Sequence, residues 1–184
     1  MCFFHAGKNL ELKIAISGYH GTGKTTLLEE LEKSLPQYTG FQEPYYAMED
    51  EGYDFEHPPS EQDFEALLEY SIHQIENCEA NTLFDRSPLD YLCYLAVIGA
   101  GDEWNGGLEE IVPAMSQLDL LIVVPIEPEL AIFTDAFSEY KMPISSLIEE
   151  HAFTLNQQLN LPVISVNGAL SKRVETVLNW INAQ

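Results

Sequence analysis

Residues 17–26, Ser-Gly-Tyr-His-Gly-Thr-Gly-Lys-Thr-Thr, decide how the rest of the chain is read. From Gly18 to Thr25 the stretch satisfies Gly-x-x-x-x-Gly-Lys-Ser/Thr, with an extra glycine at 21. Glycines let successive backbone N–H groups turn inward as an anion-binding nest. A helix beginning at Lys24 adds its positive dipole end and its free N–H donors. The spacing predicts Lys24 on the β- and γ-phosphates of ATP and the Thr25 hydroxyl on Mg²⁺. Gly18, Gly21, Thr22, Gly23 and Thr26 complete the expected nucleotide-binding loop.

Such a loop needs a strand before it and a helix after it. "ELKIAIS" (11–17) is a β-prone run, and Leu27, Leu31 and Leu35 recur every four residues until Pro36 ends the helix. Further along, "TGFQ" (39–42), "TLF" (82–84), "DLLIVV" (119–124) and "PVISV" (162–166) read as strands. Between them lie amphipathic helices. One is opened by a capping box at Ser60–Asp63, one follows "DRSP", and one spans about 108–117. Two more, about 129–140 and 144–159, are divided by Pro143, and a closing helix carries Val174, Val177, Leu178 and Ile181. Residues 43–59 read as a tyrosine-rich acidic loop and 99–107 as a mobile one. Alternating strands and helices predict an α/β fold with a parallel sheet covered on both faces. A length of 184 residues suits one domain, 1–184.

Charge narrows the partners. Eight basic residues against 30 acidic ones give a net charge of −22. That field repels polyanions, which argues against nucleic acid and against anionic membrane surfaces. Cys2, Cys78 and Cys93 form no Cys-x-x-Cys pair, so the reading is a reducing cytoplasm without disulfides or zinc. There is neither a signal-peptide pattern nor an apolar run long enough for a membrane span. A nucleotide is itself an anion, so its affinity must come from local donors and Mg²⁺, and should improve with moderate salt.

A second constellation follows "TLF". Asp85 ends a buried strand, where a carboxylate can hold a metal shell. Arg86 is one of two arginines in the chain, the other being Arg173 in the closing helix. A guanidinium beside that carboxylate suits an acceptor's oxygens or a transferring phosphoryl group, and equally a structural ion pair. Glu43, in "FQEP", is placed to act as general base for a hydroxyl acceptor, or is one loop carboxylate among many. Asp90 reads first as a capping residue for Ser87, and His20 offers the loop only its backbone. No lysine or arginine lies between 34 and 85, whereas acids and tyrosines crowd 43–57. The acceptor expected there is a neutral or cationic small molecule with a ring for tyrosines to stack on. A solvated flexible loop has the same composition.

Taken together, "GYHGTGKTT", "QEPYY" and "LFDRSPLDYLCYL" resemble the nucleoside and nucleotide kinase branch of P-loop proteins. They are similar to small AAA-type ATPase/kinase proteins akin to the ribosylnicotinamide kinase domain of bacterial NAD-metabolism regulators. The resemblance covers residues 12 to about 98 by motif and the remainder by order of elements. It implies a three-layer P-loop NTPase fold, a five-stranded parallel sheet of order 2-3-1-4-5, and a helical lid at about 127–143. It also implies that Glu43 and Arg86 face the acceptor. One departure is that "PIEPELAIFTDAFSEYKMP" holds no arginine, and Lys141 is its only base. A lysine can substitute as a point charge, or a homodimer partner can lend one. The main expectation is therefore a nucleoside-type kinase. An ATP-binding switch or slow ATPase, and an acidic interaction protein on a retired kinase fold, share the same loop.

Overall fold

A computed structural model describes residues 11–99, 107–127 and 137–184. Five strands form one parallel sheet: β1 (Lys13–Ser17), β2 (Thr39–Phe41), β3 (Thr82–Asp85), β4 (Leu120–Val123) and β5 (Val163–Ser165). Their order is β2-β3-β1-β4-β5, as the resemblance implied. β1 lies at the centre, with Ile14 opposite Leu83 on one side and Leu120 on the other.

Alternation along the strands builds two cores. Ile14, Ile16, Leu83, Leu120 and Ile122 face α1 (Lys24–Ser34) and α7 (Leu170–Asn182), meeting Leu27, Leu31, Val177 and Ile181. Ala15, Phe84, Leu121 and Val123 face the opposite way. They join a larger core with α3 (Glu61–Asn77), α4 (Pro88–Ile98), α5 (Leu108–Met115) and α6 (Lys141–Leu159). Strands buried on both faces must be apolar at every position, which explains runs such as "LLIV". Both capping boxes form. Ser60 accepts from the Asp63 amide, and the Asp63 carboxylate accepts from Ser60 N–H at 2.8 Å. Ser87 and Asp90 repeat the arrangement at the start of α4.

Two local readings need correction. Within the stretch read as an acidic loop, Pro44–Asp50 forms a helix, α2. Pro44 occupies its first position, where a missing N–H costs nothing, and burial of Met48 holds so short a helix in place. Pro143 does not separate two helices, because it lies in the first turn of α6, which starts at Lys141. Ser138–Tyr140 is a single 3-10 turn. Most of the expected helix 129–140, the inner part of the lid and the glycine-rich 100–106 lie outside the described residues. Among the described residues, no helix is long and apolar enough to cross a membrane.

Candidate functional site

The site forms where β1, β3 and β4 end together. Chain leaving β1 turns at Gly18, whose amide donates to Asp90 Oδ1 at 2.9 Å. A Cβ on Gly18 would sit 2.4 Å from the Val124 carbonyl oxygen, so only glycine fits against β4. Gly21 and Gly23 take positive φ of 76° and 86°, and the chain enters α1 at Lys24. Ser17 Oγ meets Ser87 Oγ at 2.7 Å, locking the loop to the start of α4. Asp90 is thus more than a cap, since one oxygen serves Ser87 and the other holds the loop.

Lys24 is buried, and its ammonium donates to the Tyr19 carbonyl at 2.9 Å. Burial, reinforced by the charge of Arg86, lowers its pKa to about 8, with Glu43, Asp90 and Asp85 opposing. Thr25 Oγ1 donates to Asp85 Oδ2. The other oxygen, Asp85 Oδ1, is buried without a hydrogen-bond partner. Burial pushes this carboxyl above its ordinary range, partly offset by Lys24 and the Thr25 hydroxyl. A buried, unpartnered carboxylate oxygen beside a hydroxyl is what a hard divalent cation would satisfy. Among the described residues, no three His, Cys, Asp or Glu side chains cluster as a ready-made metal cage. Asp85 Oδ1 and the Thr25 hydroxyl suit Mg²⁺, which takes one or two protein oxygens and fills its remaining positions with water and phosphate.

Glu43 and Arg86 also meet here. Arg86 Nε donates to Glu43 Oε1 at 2.6 Å, while Nη1 donates to the Gly18 carbonyl at 3.3 Å and to Asp90 Oδ1 at 3.4 Å. Arg86 adopts φ 81°, a left-handed conformation unusual for a side-chain-bearing residue, and these acceptors hold it there. Burial alone would raise the Glu43 pKa, but Arg86 and then Lys24 bring it below its ordinary value.

Beside this pair opens a cavity of about 260 Å³ whose walls include Tyr19, Tyr45, Tyr46, Phe64, Tyr94 and Phe137. Phe64 stacks on Tyr94 at 5.0 Å, and Tyr94 stacks on Tyr19 at 5.9 Å. Glu43, Arg86 and His20 supply the polar wall. The His20 amide donates to the Tyr94 hydroxyl at 3.3 Å, in keeping with its expected backbone use.

Arg173 joins the site without having been assigned a role in the sequence. From α7 its Nη1 donates to the Thr22 carbonyl at 2.7 Å, its Nε to the Gly168 carbonyl at 2.8 Å, and its Nη2 to Glu127 Oε1 at 2.8 Å. The available signal was scarcity, because an arginine is rare in so acidic a chain. Lys24, Arg86, Lys141 and Arg173 are the buried cations among the described residues, and all four border the phosphate loop. In a protein of net charge −22 these buried cations gather at one place, where Glu43, Asp85, Asp90 and Glu127 lie beside them.

A family described as AAA domain matches residues 13–173. The chain belongs to that family. Its fold is that of P-loop nucleoside and nucleotide kinases. Deoxyadenosine kinase from M. mycoides, solved with bound dCTP, is similar at a TM-score of 0.66 and 20% identity, covering 94% of this chain and 100% of that one. NadR protein in complex with NR aligns at a TM-score of 0.67 and 15% identity, over 94% of this chain and 50% of that one. Thymidylate kinase from Candida albicans aligns at 0.62 and 16% identity, over 94% and 91%. At these identities the likeness is one of fold. Comparison with curated proteins by sequence finds no match.

Proposed function

We propose that this AAA-family protein is an ATP- and Mg²⁺-dependent kinase that phosphorylates a small hydroxyl-bearing acceptor of nucleoside type. The observation that carries the reading is the aromatic cavity, which has the Glu43–Arg86 pair in its wall and shares Tyr19 and His20 with the phosphate loop. Its volume, about 260 Å³, lies near the lower end of small-molecule clefts, which run from roughly 300 Å³ upward, and suits a ring and sugar rather than a polymer. Deoxyadenosine kinase, a structural neighbour, handles ligands of this chemical class by its name.

In this reading Gly18, Gly21, Thr22, Gly23 and Thr26 cradle the phosphates, and Lys24 leaves the Tyr19 carbonyl for the β- and γ-phosphate oxygens. Asp85 and Thr25 would hold Mg²⁺, which when bound neutralises charge on those oxygens. The acceptor hydroxyl bonds to the γ-phosphorus while the bond to the β–γ bridging oxygen breaks, and ADP departs. Glu43 takes the hydroxyl proton. Arg86 orients Glu43 and the acceptor. Its charge faces the carboxylates of Glu43 and Asp90, so little is left to recruit a phosphate on the acceptor. A nucleoside therefore suits the cavity better than a nucleoside monophosphate. A cytoplasmic location accords with Cys78 and Cys93, both unpaired thiols.

The test is ADP release from MgATP with pooled nucleosides, nicotinamide riboside among them, against Lys24→Ala. Nucleoside-stimulated turnover that the variant lacks is expected. ATP binding without stimulation by any acceptor would replace the kinase with a nucleotide switch or slow ATPase. Absence of nucleotide binding at every Mg²⁺ concentration would remove both.

A further inference from the structure

Tyr91 lies on α4, one turn from Tyr94, and only 2% of it is exposed. The Arg86 guanidinium stands over both rings, 5.8 Å from the Tyr91 centroid and 5.7 Å from that of Tyr94, within cation–π range. The two hydroxyls differ. That of Tyr94 accepts from the His20 amide, whereas that of Tyr91 is buried without a hydrogen-bond partner. Burial, and then the charge of Glu43, push the Tyr91 pKa well above the ordinary tyrosine value, so the hydroxyl stays a neutral donor. Arg86, Asp90 and Asp85 are the other charges that act on it.

A buried hydroxyl whose hydrogen bond is unmade costs its full desolvation. A phenylalanine would give Arg86 the same aromatic face without that cost, so the ring does not account for the oxygen. A partner that arrives with a ligand does. Glu43 is suited to be that partner. An ionised carboxylate offers about four acceptor sites. Among the described residues this one receives a single hydrogen bond, from Arg86 Nε at 2.6 Å. Glu43 is also the N-cap of α2, the short helix whose Tyr45 and Tyr46 line the cavity. A ring stacked on those tyrosines therefore acts on the element that carries Glu43.

We propose that Tyr91 is a positioning residue whose hydroxyl donates to the Glu43 carboxylate when an acceptor fills the aromatic cavity, drawing Glu43 and the start of α2 toward α4. Arg86 and Tyr91 then hold the carboxylate together, and a further lone pair is left for the acceptor hydroxyl. This role deepens the nucleoside-kinase reading above and rests on it. It gives Tyr91, which is not among the residues lining the cavity, a share in acceptor affinity.

The experiment compares wild type, Tyr91→Phe, Glu43→Ala and the double variant. Melting temperature is measured without ligand. Calorimetry gives the affinity for Mg²⁺ with the non-hydrolysable triphosphate AMP-PNP and, in its presence, for each nucleoside of the pool above. Tyr91→Phe should raise the melting temperature of the free protein, because an unsatisfied hydroxyl is removed. The same variant should weaken nucleoside binding about tenfold, the scale for losing a hydrogen bond to a charged group, and leave AMP-PNP within about twofold. A residue that only packs the core would not move these two properties in opposite senses. In the Glu43→Ala background Tyr91→Phe should change nucleoside affinity by less than about twofold, since the partner is gone. A Tyr91→Phe protein that melts no higher than wild type, or fails to fold, shows the hydroxyl to be partnered already and overturns the inference. Unchanged nucleoside affinity, a weakening shared by AMP-PNP, or a loss that persists with Glu43→Ala overturns it as well, while leaving the kinase reading intact. Wild type that binds AMP-PNP but no nucleoside overturns the nucleoside reading, and the inference with it. Should Glu43→Ala not fold, the opposite effects of Tyr91→Phe decide alone.

Discussion

Arg86 Nε lies 2.6 Å from Glu43 Oε1, joining the end of β3 to the N-cap of α2 across 43 residues of chain. The contact places a carboxylate in the wall of the aromatic cavity and holds it ionised. Desolvation alone would raise the Glu43 pKa above 4.5, but Arg86 and then Lys24 outweigh it and lower it. A depressed carboxyl contributes stability above its unfolded value and loses it as pH falls through the folded value. Glu43→Gln should therefore flatten the loss of melting temperature below pH 4.5. It should also lower acceptor-dependent turnover about 100-fold, as expected for loss of a general base. A Gln variant with the wild-type rate would take Glu43 out of the chemistry.

Asp85 carries the opposite signature, a buried carboxylate with one oxygen unpartnered. Asp85→Asn removes the buried charge and should leave thermal stability equal or higher. MgATP affinity should fall at least about tenfold, and its dependence on Mg²⁺ concentration should flatten. Melting curves and Mg²⁺ titrations of the same preparation separate the two effects. Undiminished Mg²⁺ dependence would locate the metal elsewhere.

Gly18 has φ +152°, and a Cβ there would come within 2.4 Å of the Val124 carbonyl oxygen, a backbone atom that β4 fixes in place. Gly18→Ala should cost about 2 kcal/mol in urea unfolding, in the range for overpacking. Nucleotide affinity should fall with it because the first turn of the loop is displaced. A variant of wild-type stability would mean that β4 yields to the methyl group.

Arg173 ties Thr22, Gly168 and Glu127 together from α7. Arg173→Gln should lower the melting temperature, because the Thr22 and Gly168 carbonyls lose their donor. Amide exchange at residues 21–23 should quicken in parallel. Lys is expected to rescue poorly, having no planar fork to reach three acceptors at once. Unaltered exchange in the loop would confine Arg173 to packing α7.

Long-range repulsion from a net charge of −22 should slow the arrival of nucleotide. Raising salt from about 10 to 150 mM shortens the Debye length from roughly 30 to 8 Å and should increase the association rate. Stopped-flow binding in the two buffers measures this. A rate that falls with salt would show that the buried cations, rather than the acidic surface, govern the approach.

Much of the architecture could be read locally. Ser60–Asp63 and Ser87–Asp90 announce their helices because a capping box is complete within four residues. The inner strands β1, β3 and β4 are legible as apolar runs because the sheet buries both their faces, whereas the edge strands β2 and β5 stay partly exposed. Glycine spacing in 18–23 is legible because the turn itself demands it, Gly18 against Val124 most of all. The α2 helix was missed, since seven residues carry too few turns to show a period and Met48 is held from outside the segment.

By itself the sequence determined the phosphate loop, the alternation of strands and helices, and the strong acidity of the chain. Tertiary structure alone decided which distant groups face that loop. Arg173 reaches Thr22 across 151 residues, and Tyr19 meets Tyr94, Phe137 and Lys141 from two other parts of the chain. Periodicity records which side of a strand or helix is apolar, because that depends on neighbours one turn away. It does not record which side chains meet where β1, β3 and β4 end, because strand order and helix packing set those distances.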